Sequence, residues 1–139
     1  MTRRIAVELV KVVVRFADGR IVKGFTQDFH PNRDRFHLRP VEDNPGKPIE
    51  ILIKDLKAVF FVKDFAGDSS YSERKNYFDG AKPQGRKMEV TFRDGEALVG
   101  SNLGYDPKRL GFFLFPADPE CNNLRTFAVA AAVKNVRYL

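Results

Sequence analysis

Val14-Arg15-Phe16-Ala17-Asp18-Gly19-Arg20-Ile21-Val22-Lys23-Gly24 decides the reading of this chain, because 76 residues later it recurs as Val90-Thr91-Phe92-Arg93-Asp94-Gly95-Glu96-Ala97-Leu98-Val99-Gly100. The shared frame is Val-x-Phe-x-Asp-Gly-x4-Gly. It continues without a gap through Phe29/Tyr105, Pro31/Pro107, Arg33/Arg109, Phe36/Phe112, Leu38/Leu114 and Pro40/Pro116. Ten of the 27 positions from Val14 to Pro40 are identical in the second copy, which marks a duplicated structural unit.

Each copy alternates with the period of a β-strand. Val10, Val12, Val14 and Phe16 fall on one face, and Ala17 to Arg20 turns the chain into a hairpin. Asp-Gly suits a two-residue turn in which both central residues reach positive φ. Ile21 to Phe29 is expected as the return strand, with Gly24 marking a bulge or sharp bend. Arg35 to Arg39, Ile49 to Ile53 and Lys57 to Lys63 complete the first unit, with a tight connection at Lys54-Asp55-Leu56. The second unit repeats the order with strands over 87–92, 97–103, 111–115, 127–131 and 133–138. Between them, Asp64 to Gly85 has the polar, Gly- and Ser-containing composition of a linker, with a short helical turn expected at Ser72 to Asn76. Five short strands per unit predict an all-β protein of two tandem small barrels, over residues 1–63 and 86–139.

The 139 residues, 43% hydrophobic, are enough for a real core, and no apolar run reaches transmembrane length. The first residues lack a secretory pattern, so a cytoplasmic location without membrane contact is expected. The lone Cys121 excludes an internal disulfide. With only His30 and His37 beside it, no Cys/His metal set exists, and neither metal nor cofactor is expected. Net charge is +6 and uneven: residues 1–63 hold 13 basic and 8 acidic side chains, and residues 86–139 hold 8 and 6. The first copy is the half better suited to a polyanion.

The hydrophobic-x-hydrophobic-x-Asp-Gly-x4-Gly frame, the aromatic five residues past its second glycine and the Phe-x-Leu strand together resemble the first motif of Sm-like proteins, including bacterial Hfq. Tyr105-Asp106 is similar to the aromatic-Asp pair of that motif, and Ile53-x-x-Leu56-x-x-Val59 to the closing strands. The resemblance implies small five-stranded barrels, of a pattern shared with SH3-like folds, that associate through edge strands. The chain lacks the Arg-Gly-Asp/Asn turn and the Tyr-Lys-His-Ala stretch associated with RNA binding in that family. Leu56 to Val62 and Gly111 to Pro116 also resemble a family of small bacterial proteins of unknown function, which points to a bacterial source.

Thirteen Phe and no Trp is an unusual aromatic usage. Phe60-Phe61 and Phe112-Phe113 with Phe115 must place rings on both faces of their strands, so one face needs a cover. Phe60, Phe61, Phe113 and Phe115 are therefore interface candidates. The cover is the sister repeat, a second subunit, or nucleobases stacking on exposed rings.

Basic residues form a second candidate set. Arg33 and Arg109 occupy equivalent loops, Lys57 and Lys134 open the last strand of each unit, and Arg35, Arg39 and Lys108 lie nearby. They would meet phosphates, or else cap and salt-bridge their own loops. Asp18 and Asp94 are explained by their turns, His30 and His37 have no evident partner, and no nucleophile, base and orienter assemble. Cys121 reads as a loop or half-buried thiol. The expectation is a non-enzymatic binding or adaptor module acting through protein contacts or self-association. RNA or single-stranded nucleic-acid binding through the basic loops is the alternative.

Overall fold

The computed structural model describes residues 10–41, 47–65, 85–117 and 121–139. The alternating stretches form ten antiparallel strands: β1 Val10–Phe16, β2 Ile21–Thr26, β3 Arg35–Pro40, β4 Ile49–Leu52, β5 Leu56–Val62, β6 Arg86–Phe92, β7 Ala97–Asn102, β8 Gly111–Pro116, β9 Asn123–Val129 and β10 Val133–Tyr138. One-turn 3-10 helices at Ile53–Asp55 and Ala130–Ala132 join β4 to β5 and β9 to β10. The all-β expectation holds, with no α-helix among the described residues. Strand β9 begins at Asn123, upstream of the expected Phe127. The expected linker falls almost wholly outside the described residues, as does the turn expected at Ser72 to Asn76.

The strands pair in the order β10-β6-β7-β8-β9-β5-β1-β2-β3-β4. That is one open ten-stranded ladder, and no strand pairing among the described residues closes either half on itself. The duplication is visible in it. Each half has its fifth strand beside its first and its fourth at the far end. The register is duplicated as well: Phe16 sits opposite Leu56 after a bulge, and Phe92 sits opposite Val133 after the same bulge. A polar side chain tethers the third strand of each half identically. Thr26 Oγ1 donates to the His37 carbonyl at 2.9 Å, and Asn102 Nδ2 donates to the Phe113 carbonyl at 2.6 Å.

The halves meet where β5 pairs with β9. Ala58 lies opposite Ala128, Val59 opposite Phe127 and Phe60 opposite Thr126. This seam exchanges side chains between two cores. Phe127 and Val129 of the second half pack with Val12, Val14, Phe36, Leu38 and Val59 of the first. In return, Ala58 packs with Met88, Val90, Phe92, Phe112 and Leu114 of the second half. Strand β5 is covered on both faces, which explains the near-continuous apolar run from Leu56 to Val62.

Two local expectations change. The Asp-Gly hairpins are type I turns followed by a left-handed glycine: Gly19 and Gly95 have φ of 99° and 96°, and no non-glycine residue has positive φ among the described residues. Each aspartate instead receives a backbone N–H two residues on, Arg20 to Asp18 at 3.0 Å and Glu96 to Asp94 at 2.9 Å. The second glycine of the motif is required by close approach. A Cβ on Gly24 would lie 2.5 Å from the Arg39 carbonyl oxygen, and one on Gly100 would lie 2.3 Å from that of Phe115. The third strand of each unit thus lies tightly against the second at its glycine.

Gly24→Ala and Gly100→Ala should therefore each cost about 1–3 kcal/mol, the range of forced overpacking. Gly104→Ala, whose Cβ meets nothing within 4 Å, should shift the urea midpoint far less. Equal midpoint shifts for all three would contradict the close-approach account.

Candidate functional site

Lys57, the second residue of β5, sits in the bulge, and its side chain crosses the seam. Its ammonium donates to Asp94 Oδ2 at 2.6 Å and Glu96 Oε1 at 2.5 Å, and Arg15 Nη1 reaches the same Glu96 oxygen at 2.9 Å. Lys57 is only 4% exposed and lies 5.0 Å from the Phe92 ring centroid. Two cations of the first half thus hold two carboxylates of the second half's hairpin. The Lys57 contact pulls the Asp94 pKa below the usual carboxylate value, helped by the Glu96 N–H. At Glu96 burial works upward, but the Lys57 and Arg15 contacts outweigh it and the net shift is down. A cleft of about 200 Å³ beside this cluster is lined by Lys54, Lys57, Arg93 and Asp94 together with Ala17 and Ala132. With its ammonium held by two carboxylates, Lys57 is a charged anchor rather than a nucleophile or a phosphate-facing side chain.

The aromatic candidates are taken up by the same seam. Phe61 is 3% exposed in the first core, and Phe113 packs against it with Phe29 and Phe127 at centroid distances of 5–6 Å. Arg125 lies over Phe61 and Phe113, 4.5 Å from each centroid, and burial lowers its pKa. Phe60 packs from the other face against the second core. Phe115 is half-buried opposite Ser101. The cover demanded by these rings is largely the sister repeat.

The basic candidates divide. Arg33 and Arg109 sit in matching turns, their N–H groups donating to the His30 and Asp106 carbonyls. Arg109 lies 3.9 Å from Asp106, and Lys108 is exposed with its N–H on the same carboxylate. Arg35 pairs with Asp34 and Glu50, and Lys134 is exposed on β10. Arg39 has a different setting. Its register partner on β2 is Phe25, whose partner on β1 is Lys11, so the three form one row on the outer face of the first half. Lys23 shares that face two residues from Phe25. Phe65 stands edge-on to Phe25 at 5.2 Å, accepts a hydrogen bond from Lys23 Nζ on its carbonyl at 2.9 Å, and lies 6.0 Å from Lys11 Nζ. Lys11, Lys23 and Arg39 are exposed and, among the described residues, have no carboxylate at ion-pair distance.

A cleft of about 170 Å³ adjoins this face, lined by Phe25, Gln27, Asp28, His37, Arg39 and Pro48. His37 has a partner after all: its Nδ1 lies 2.7 Å from Asp28 Oδ2, while its N–H donates to Asp28 Oδ1 at 2.9 Å. Burial alone would raise the Asp28 pKa, but the His37 contacts bring it down. The equivalent row of the second half reads Lys87, Ser101 and Phe115, with Val99 in place of Lys23. The first half sets three cations that meet no carboxylate among the described residues beside two rings. Lys11, Lys23, Phe25 and Phe65 were missed as site residues. The signal was alternation in β1 and β2, which places every second residue of Lys11-Val12-Val13 and Lys23-Gly24-Phe25 outward.

A family model matches residues 8–139, which includes both halves and the seam. The chain belongs to DUF6982. This is a family of unknown function, and its span shows that the two-unit arrangement is the DUF6982 unit rather than an addition to it. No curated protein and no solved structure matches the chain. No group of three or more metal-binding side chains occurs among the described residues, and no helix among them is long and apolar enough to cross a membrane.

The seam cluster predicts an acid response. Carboxylates with depressed folded-state pKa values add stability above their unfolded pKa, and that stability is lost as pH falls through the folded pKa. Wild-type stability should therefore drop as pH falls below about 4. Lys57→Met should lose about 1–3 kcal/mol at neutral pH, less than a fully buried pair because Asp94 is half-exposed. Its urea stability should also vary less between neutral pH and acid. An unchanged acid slope in Lys57→Met would remove the cluster from this role.

Proposed function

We propose that this protein is a non-enzymatic binding module whose ligand is a single-stranded nucleic acid, held on the outer face of the first half. The observation that carries the reading is the Lys11–Phe25–Arg39 row with Lys23 and Phe65 around it. Phosphates need cations that are not already neutralised, and bases need flat apolar surface on which to stack. This face offers both, whereas Arg35, Lys57 and Arg109 are engaged by carboxylates. The cleft beside it, with Gln27, Asp28 and His37, supplies polar groups within reach of a base edge. We further read each half as a five-stranded unit of the Sm-like or SH3-like kind, a view supported by the identical pairing order in both.

The expectation of docking through aromatic outer strands loses its main support, because Phe60, Phe61 and Phe113 serve the seam.

Fluorescence anisotropy with labelled single-stranded RNA and DNA tests this. Three phosphate contacts give a log–log salt slope of about −2. The Lys11→Ala/Lys23→Ala/Arg39→Ala variant should bind at least tenfold more weakly, and Phe25→Ala should weaken binding with little change in the slope. Arg33→Ala/Arg109→Ala should bind nearly as wild type. Equal binding by wild type and the triple variant, or no binding at low salt, would refute the proposal.

A further inference from the structure

The seam joins unlike edges: the fifth strand of the first half, β5, pairs with the fourth strand of the second half, β9. Among the described residues, the two strands left at the ends of the ladder, each without a second neighbour, are the complementary ones, β4 and β10. An interface of unlike patches does not close on itself. Repeated between chains, it would add copy after copy into a ring or a filament. Backbone geometry alone supplies no stop, and unpaired edges are templates for pairing.

Side chains at the two free edges differ from those of the seam at the positions the seam uses. The register gives the equivalences, since β10 lies against β6 as β5 lies against β1, and β4 against β3 as β9 against β8. Where the seam has Phe127, fully buried in the neighbouring core, β4 has Glu50, paired with Arg35 at 3.5 Å. Where Ala58 meets Ala128, a repeated seam would set Asn135 against Ile51. Where the seam has Phe60, β10 has Arg137, tied to Glu89 at 3.2 Å. The ionic cluster is only half kept. Lys134 stands for Lys57 and Asp18 for Asp94, but Arg20 stands for Glu96, and Arg20 already holds Asp18 at 2.8 Å. A second copy would thus set Lys134 beside Arg20 with one carboxylate in place of two, and would drive Glu50 into a position that is dry in the seam. Strand β4 is also shorter, four residues against the seven of β9.

We infer that Arg20, Glu50, Asn135 and Arg137 close the free edges of this sheet to a second copy of the chain, so that duplication has produced a single-chain pair with one seam. This inference is independent of the nucleic-acid reading and stands or falls without it.

Sedimentation velocity of the full chain tests it, comparing wild type with Arg20→Glu/Glu50→Phe/Asn135→Ala/Arg137→Phe, which puts the seam residue at each of these four positions and leaves Ile51 in place of Ala128. Wild type should sediment as a monomer from micromolar to near-millimolar concentration. The restored variant should associate with rising concentration, and adding Lys134→Glu to it should reduce that association. Far-ultraviolet circular dichroism checks folding, and Glu50→Ile/Asn135→Ala carries the comparison if the fourfold variant does not fold. Wild-type association that Ile51→Pro in β4 abolishes would overturn the inference. So would a folded variant as monomeric as wild type.

Discussion

The pairing of β5 with β9 is the contact on which the rest of this structure depends. Each half alone has an open core at its edge. Without β9, the first core loses Phe127 and Val129, two of its fully buried side chains. Without β5, the second loses Ala58 and the packing of Phe60. Burial of a large apolar side chain contributes on the order of 1.5–3 kcal/mol, so opening the seam costs the first half several kcal/mol of its core and exposes part of the second. The alanine pair at the centre, Ala58 opposite Ala128, lets the strands carry side chains of both cores without crowding.

Around that contact the two copies have diverged in three places, each with a physical consequence. At the seam, Glu96 replaces the Arg20 of the first copy and so receives Lys57 and Arg15. On the outer face, Phe25 and Arg39 replace Ser101 and Phe115, and the charge excess of the first half becomes a local surface rather than a diffuse balance. On the third strand, His37 with Asp28 stands where the second copy has Phe113, whose ring is needed in the seam. One copy has been shaped for the surface and the other for the interior.

Much of this was legible in the sequence. The repeat, the strand order and the hairpins follow from alternation and from Asp-Gly, because both are local. Gly24 was recognised as special but for another reason, since its neighbour, the Arg39 carbonyl, lies on the next strand and no local pattern reports it. Closed barrels were expected, whereas the pairing is one open ladder, because strand periodicity does not say which edges meet. For the same reason Lys57, basic and at a strand start, looked like a phosphate contact, while the carboxylates that hold it lie 37 and 39 residues away. The aromatic runs correctly demanded a cover. That the sister copy supplies most of it required knowing that β5 is shared.

Native-state amide hydrogen exchange tests the shared strand most directly. If the two halves form one cooperative structure, the amides of Val59 and Phe61 on β5 and of Phe127 on β9 should exchange only through global unfolding, with one common denaturant dependence. Those of β4 and β10, at the free edges, should open locally and faster. Two separate exchange classes, with one half protected while β5 and β9 part, would contradict the account.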